Sequence, residues 1–262
     1  MSVLAARAGF EAPSVNELAW PCIWTLRVGS FELCVNRTTL LMIIGTLIVG
    51  TLFWVGFRRP QLVPRGVQNL AEAGVDFIRR QIVLEVIGPD GLRFVPYLTA
   101  LFFYIFFVNV FEIVPGINFP VGARMAVPGF LALMSWLLFN AVGIKEQGLV
   151  HYLRSTLFPP GLPWPLYVLI VPIEFISTIL VRPVTLSVRL LANMLAGHLI
   201  LGVFFLGTAY LIARPVTAPF AVASFAMSAI LVAFELAVGL LQAYIFTILT
   251  AVYLAGALLP EH

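Results

Sequence analysis

The stretch LSVRLLANMLAGH, residues 186–198, decides how this chain is read, because it sets an arginine inside a run otherwise apolar enough to lie in a bilayer. A charged side chain at mid-membrane costs on the order of 3 kcal/mol on insertion scales, so Arg189 needs a partner or a task. Apolar helix continues for about two turns past it before the next ionisable residue, so snorkelling to an interface does not account for it.

Composition agrees with that reading. The 262 residues are 61% hydrophobic and only 10% charged, with a mean hydropathy of +1.04. Too few charges are present to cover a water-facing surface, and the chain reads as an integral membrane protein. The net charge of +3 is then a matter of where Lys and Arg fall between spans. No nucleic-acid motif or aromatic-basic platform accompanies it, and no nucleic-acid partner is expected.

Working outward, uncharged runs of roughly 20 residues mark the spans. They are Thr38–Phe57, Phe94–Phe111, Met125–Ile144, a long helix through Arg189 to Ala213, and one helix over Ser224–Leu258 interrupted only by Glu235. The uncharged run Ser155–Ile173 carries Pro159, Pro160, Pro163 and Pro165, which predict an entry loop in its first half. The fold class expected is all-α and polytopic, with five transmembrane helices and the last two long and paired as a hairpin. Residues 1–37 are expected to form an extracytoplasmic N-terminal segment and residues 38–262 the membrane domain.

Arg58, Arg59, Arg65, Arg79 and Arg80 follow the first span, and Lys145 and Arg154 the third. The positive-inside rule assigns both clusters to the cytoplasm, which puts the N-terminus outside and the C-terminus inside. Arg124 and Arg214 fall on the outer side, so the rule holds by majority. The residues before the first span lack the compact apolar core of a secretory signal.

Between the first two spans, PRGVQNLAEAGVDFIRRQIVLEVIG (residues 64–88) repeats Val67, Leu70, Ala71, Gly74, Ile78 and Ile82 at helical spacing, with Gln68, Glu72 and Asp76 on other faces. An amphipathic helix in the cytoplasmic interface is expected, a solvated connecting helix being the alternative. Cys22 and Cys34 both precede the first span, where an oxidising exterior permits a disulfide. Two cysteines without a nearby histidine are too few ligands for a metal site.

The spans also carry Glu112, Glu174, Arg182, Arg189, Asn193, His198, Glu235 and Gln242. Glu112 and Arg182 could sit at interfaces and snorkel. Arg189 and Asn193, four apart, share a helix face, and His198 points about half a turn away. Glu235 and Gln242, seven apart, make one stripe on the last helix. A histidine and a glutamate on adjacent antiparallel helices can share a proton, so His198 and Glu235 suggest a hydrated proton path, against the alternative of a pair that only locks two helices.

LSVRLLANMLAGH, followed by FELAVGLLQAYIFTILTAVYL (residues 234–254), resembles the membrane-embedded a subunit of F-type rotary ATP synthases. NVFEIVP (109–115) and PIEFISTILVRPV (172–184) fit the family's order, so the resemblance covers most of the chain. It implies a non-catalytic stator that conducts protons to and from a rotating ring of c subunits through two offset half-channels. Arg189 matches the family arginine that faces the ring's carboxylates. Asn193 and Gln242 match polar residues near it, His198 and Glu235 the pair of the outer half-channel. Glu112 and Asn109 match its entrance, and Glu174 the acid of the cytoplasmic half-channel. The expected partners are the c ring, b subunits or another peripheral stalk, the rest of the synthase and lipid, with no cofactor. A bacterial plasma membrane is expected, a mitochondrial inner membrane being the alternative.

Two departures stand out. In many bacterial relatives the acid follows AG and the histidine sits on the last helix, whereas here His198 and Glu235 are exchanged. The segment from Glu174 to Arg189 is also one residue longer than the common spacing. A small secondary transporter and a non-conducting membrane scaffold are the competing classes. The chain has no convincing internal repeat, and its polar residues concentrate on two helices, which argues against a transporter. No phosphate loop, zinc-ligand cluster or nucleophile elbow is present.

Overall fold

A computed structural model describes residues 24–28, 31–114, 116–158 and 164–258. Among the described residues, five helical spans are long and apolar enough to cross a membrane: Arg37–Phe57, Pro89–Ile113, Ala126–Gln147, Leu166–Ile212 and Ala218–Leu258. The chain is a multi-pass α-helical membrane protein.

Two strands come first, β1 (Trp24–Val28) and β2 (Phe31–Val35), paired antiparallel from Trp24 opposite Val35 to Val28 opposite Phe31. The sequence reading had no hairpin here. Its signal is two β-rich runs either side of Gly29-Ser30, a pattern that favours a tight reversal. Asn36 then caps α1 (Arg37–Phe57), its side chain accepting from the Thr39 amide at 3.0 Å. Cys34 is disulfide-bonded; Cys22 lies outside the described residues.

The expected amphipathic segment is α2 (Val67–Ile78), extended as a π-helix over Arg79–Ile87. Its facing differs in part from the sequence pattern. Val67 and Leu70 are exposed while Gln68 is buried, because the Gln68 amide has partners: it bonds both backbone groups of Gln61 and donates to Glu72 Oε1 at 2.7 Å. Ile78 and Ile82 are fully buried in a core cluster with Leu98 and Phe246, so the end of this segment docks on the helical bundle.

A 3-10 turn (Pro89–Phe94) leads into α3 (Val95–Ile113), the centre of the bundle. Next come α4 (Ala126–Gln147) and α5 (Leu149–Leu157). The proline-rich run is more helical than expected. α5 covers its first residues and α6 (Trp164–Ile176) is already helical at Pro165, since a proline in the first turn forfeits an amide that has no intrahelical partner anyway. Pro159, Pro160 and Pro163 lie outside the described residues. A π turn over Ser177–Val181 joins α6 to α7 (Arg182–Ile212). α8 (Ala218–Leu258) closes the chain.

α7 and α8 run antiparallel in one continuous register. Thr208 donates to Ser224 Oγ at 2.9 Å, Gly197 lies against the Glu235 carboxylate, and Arg182 stacks on the Tyr253 ring at 5.1 Å. Within an 18-residue window of each span, 56% is buried for α3 but only 17% for the span ending in α7 and 11% for α8. The two long helices therefore keep broad apolar faces that nothing among the described residues covers.

Candidate functional site

Glu112 near the end of α3 is 1% exposed. Of its two readings, a snorkelling carboxylate does not fit this burial: the last turns of α3 pack on α8, and His198 of α7 stands beside Glu112. His198 on α7 points its Nδ1 to 3.8 Å from Glu112 Oε1. Glu235 on α8 is half-buried, with its carboxylate on the bare Cα of Gly197, the residue before His198. Three helices thus bring two acids and a histidine together.

The cluster has depth. A cavity of about 230 Å³ opens where α3 ends, lined by Glu112, Gly116, Asn118, Leu201, Phe205 and Val232, with room for several water molecules. One turn before Glu112, buried Asn109 donates to the Gly239 carbonyl at 3.1 Å. Gln242, seven residues past Glu235 along α8, is buried, and its Nε2 has no hydrogen-bond partner among the described residues. A polar track therefore runs from the cavity between α3, α7 and α8, in surroundings where an unsatisfied polar group is costly.

Arg189 faces elsewhere. It is exposed on α7 in one stripe with Thr185, Val188, Ala192 and Ala196, while Leu186, Leu190, Met194 and Leu201 are buried. The half-turn separation read from the sequence is realised, with His198 against α3 and Arg189 on the open face. No carboxylate among the described residues pairs with the guanidinium. The α7–α8 register puts Gln242 at the height of Arg189, about 13 Å along the axis from His198. Asn193 and Glu174 are half-buried, outside the acid–histidine cluster. Arg182 stacks on the Tyr253 ring of α8.

Sequence reasoning missed the glycines that make the cluster fit. A Cβ on Gly197 would overlap the Glu235 carboxylate, and one on Gly239 would lie 3.1 Å from Asn109 Cβ. The signal was present in a small residue facing a long polar one across paired helices. It missed the Met194 contact as well, where the Gly122 amide donates to the Met194 sulfur at 2.9 Å. No group of His, Cys, Asp and Glu among the described residues has the geometry of a metal site.

Fold and site together define a class: a polytopic helical membrane subunit with titratable groups sequestered between spans and a cation on an uncovered helix face. Residues 39–255 match the ATP synthase A chain family. The chain is 45% identical to ATP synthase subunit a of Frankia alni over 97% of its own length and 88% of that protein's. It is 43% identical to the same subunit of a Parafrankia species, covering 98% and 87%, and 43% identical to that of Rhodococcus erythropolis, covering 95% and 90%. The chain belongs to the ATP synthase A chain family, and its role is that of a proton-transporting membrane subunit of a rotary ATP synthase.

Proposed function

We propose that this subunit carries two offset half-channels and that Arg189 separates them at the rotor boundary. The observation behind the reading is the opposed facing of two polar sets on one helix. His198 turns inward to Glu112 beside the cavity, and Arg189 turns outward on the exposed stripe, with no carboxylate partner among the described residues. A cation there needs a counter-charge from another subunit, and a ring of c subunits bearing carboxyl groups supplies it.

In this reading protons enter through the cavity, pass Glu112, His198 and Glu235, and reach the ring near Asn109 and Gln242. Glu174 serves the half-channel from the other side, and Asn193 lies one turn from the arginine on the same helix. Arginine keeps its proton at any physiological pH, so it attracts an ionised ring carboxylate without joining the proton wire. A ring carboxyl facing lipid must be protonated, since a charge there is costly. Rotation then requires loading on one side of Arg189 and release on the other. The driving force is about 2.3 kcal/mol per charge per 100 mV, plus any pH difference.

The same reading sets residues 1–37 outside a bacterial plasma membrane with the C-terminus in the cytoplasm, residues 38–262 as the membrane domain, a Cys22–Cys34 bridge closing the N-terminal segment, and a peripheral stalk containing b subunits as the static partner. ATP chemistry belongs to other subunits.

The test is Arg189→Ala and Arg189→Lys in the intact complex in sealed vesicles. Both are expected to lose coupled synthesis and ATP-driven pumping, with passive proton leak through the alanine variant. The lysine variant fails because an ammonium lacks the planar, delocalised charge. Normal coupled synthesis in the alanine variant would falsify the separation role.

A further inference from the structure

Trp136 Nε1 on α4 donates to the Thr178 carbonyl at 3.0 Å. In a regular α-helix that carbonyl would accept from the amide four residues on. Here the Arg182 amide reaches back five residues, to Ser177 O, because residues 177–181 form a π turn. The amide that would next serve Thr178 belongs to position 183, a proline, which has none. Thr178 O thus loses both its α-type and its π-type donor, and the indole takes their place.

A π turn holds one more residue than the α turn it replaces, so it shifts the helix before it by about 100° relative to the helix after it. Continued backwards from α7 as a straight α-helix, the open stripe would carry Thr178 within about 20° of Arg189 and Glu174 within about 60°, near the stripe's middle. The structure differs: Thr178 is 5% exposed, turned toward a cavity that it shares with Trp136, Asn140 and Ala141 of α4, and Glu174, one turn earlier, is half-buried.

We infer that Trp136 is a positioning residue: by satisfying the Thr178 carbonyl it holds the π turn, and the π turn sets the facing of Glu174 relative to Arg189. This rests on the reading of Glu174 as the acid of the second half-channel. Without the indole N–H, Thr178 O is a buried acceptor with no donor, which is unfavourable. The helix relieves it by returning the Arg182 amide to Thr178 O. That change straightens the turn and swings Glu174 into the stripe that meets the partner.

The experiment uses the intact complex in vesicles carrying Trp136→Phe, a deletion of Ile179, or both. Removing one residue converts the π turn to an α turn while leaving its flanks in phase. Coupled synthesis is read beside cross-linking of Ala141→Cys to Thr178→Cys by a short thiol reagent, which reports helix phase without any proton movement. Trp136→Phe is expected to lower synthesis on the order of a hundredfold, the scale of a misplaced functional group, and to abolish the cross-link. The deletion alone should retain both readouts, and the combined variant should recover both. Parental synthesis with an intact cross-link in Trp136→Phe, or no recovery in the combined variant, overturns the inference. A lost cross-link with undiminished synthesis overturns the role of Glu174 and leaves control of helix phase by Trp136 in place.

Discussion

His198 Nδ1 on α7 stands 3.8 Å from Glu112 Oε1 on α3. That is too long for a direct hydrogen bond and short enough for the two groups to exchange a proton through a small side-chain movement or a bridging water. Because Glu112 also lines the cavity, it links the space at the end of α3 to the histidine. Glu112→Gln keeps the shape and removes the titratable oxygen. In sealed vesicles it is expected to slow proton-driven synthesis by roughly a hundredfold, the low end of the range for a lost acid–base group. Parental rates in this variant would remove Glu112 from the path.

Gly197 is where α7 admits the Glu235 carboxylate. Gly197→Ala puts a methyl in that space and forces the carboxylate off its seat, while adding a good helix former to α7. The subunit should assemble in normal amounts and conduct poorly, with flux down about a hundredfold for a displaced functional group. Gly207→Ala, where only Ser224 Oγ lies 3.8 Å from the added carbon, is the control and should conduct normally.

Exchanging His198 and Glu235, as His198→Glu with Glu235→His, tests whether the α7–α8 pair shares a proton. The double variant is expected to conduct better than either single change, since the two groups remain on the same helix faces. Flux no higher than that of the poorer single variant would limit sharing to His198 and Glu112.

Cys34 pairs in register with Thr25 across the β1–β2 hairpin. A Cys22–Cys34 bridge predicts no reactive thiol in the native protein without reductant and two after reduction in denaturant. Two reactive thiols in the native protein would remove the bridge.

The spans were legible because a bilayer demands runs that no soluble core needs, and the few charges inside them, Arg189 and Glu235 above all, left each run long and apolar. The opposed facing of Arg189 and His198 was legible for an equally simple reason, since nine residues of helix turn through a half-integral number of turns. Glu112 was legible as a candidate through the family resemblance, but its burial was not: near the end of its span it looked free to reach an interface, and only the packing of neighbouring helices on α3 encloses it. The π turn left a trace, the one extra residue between Glu174 and Arg189, but its position was hidden because it depends on Pro183 on one helix and Trp136 on another. Gln68 misled the amphipathic reading of α2 for a similar reason: its backbone partners at Gln61 come from outside the helix.

The measurement that bears most directly on the account is a density map of the intact synthase resolving the side chain at position 189. The guanidinium is expected at the rotor surface, within hydrogen-bonding reach of a ring carboxyl in at least one rotational state, with water-filled clefts on either side that do not join. An arginine turned toward acyl chains or bulk solvent, with no carboxyl-bearing helix passing it, would contradict the account.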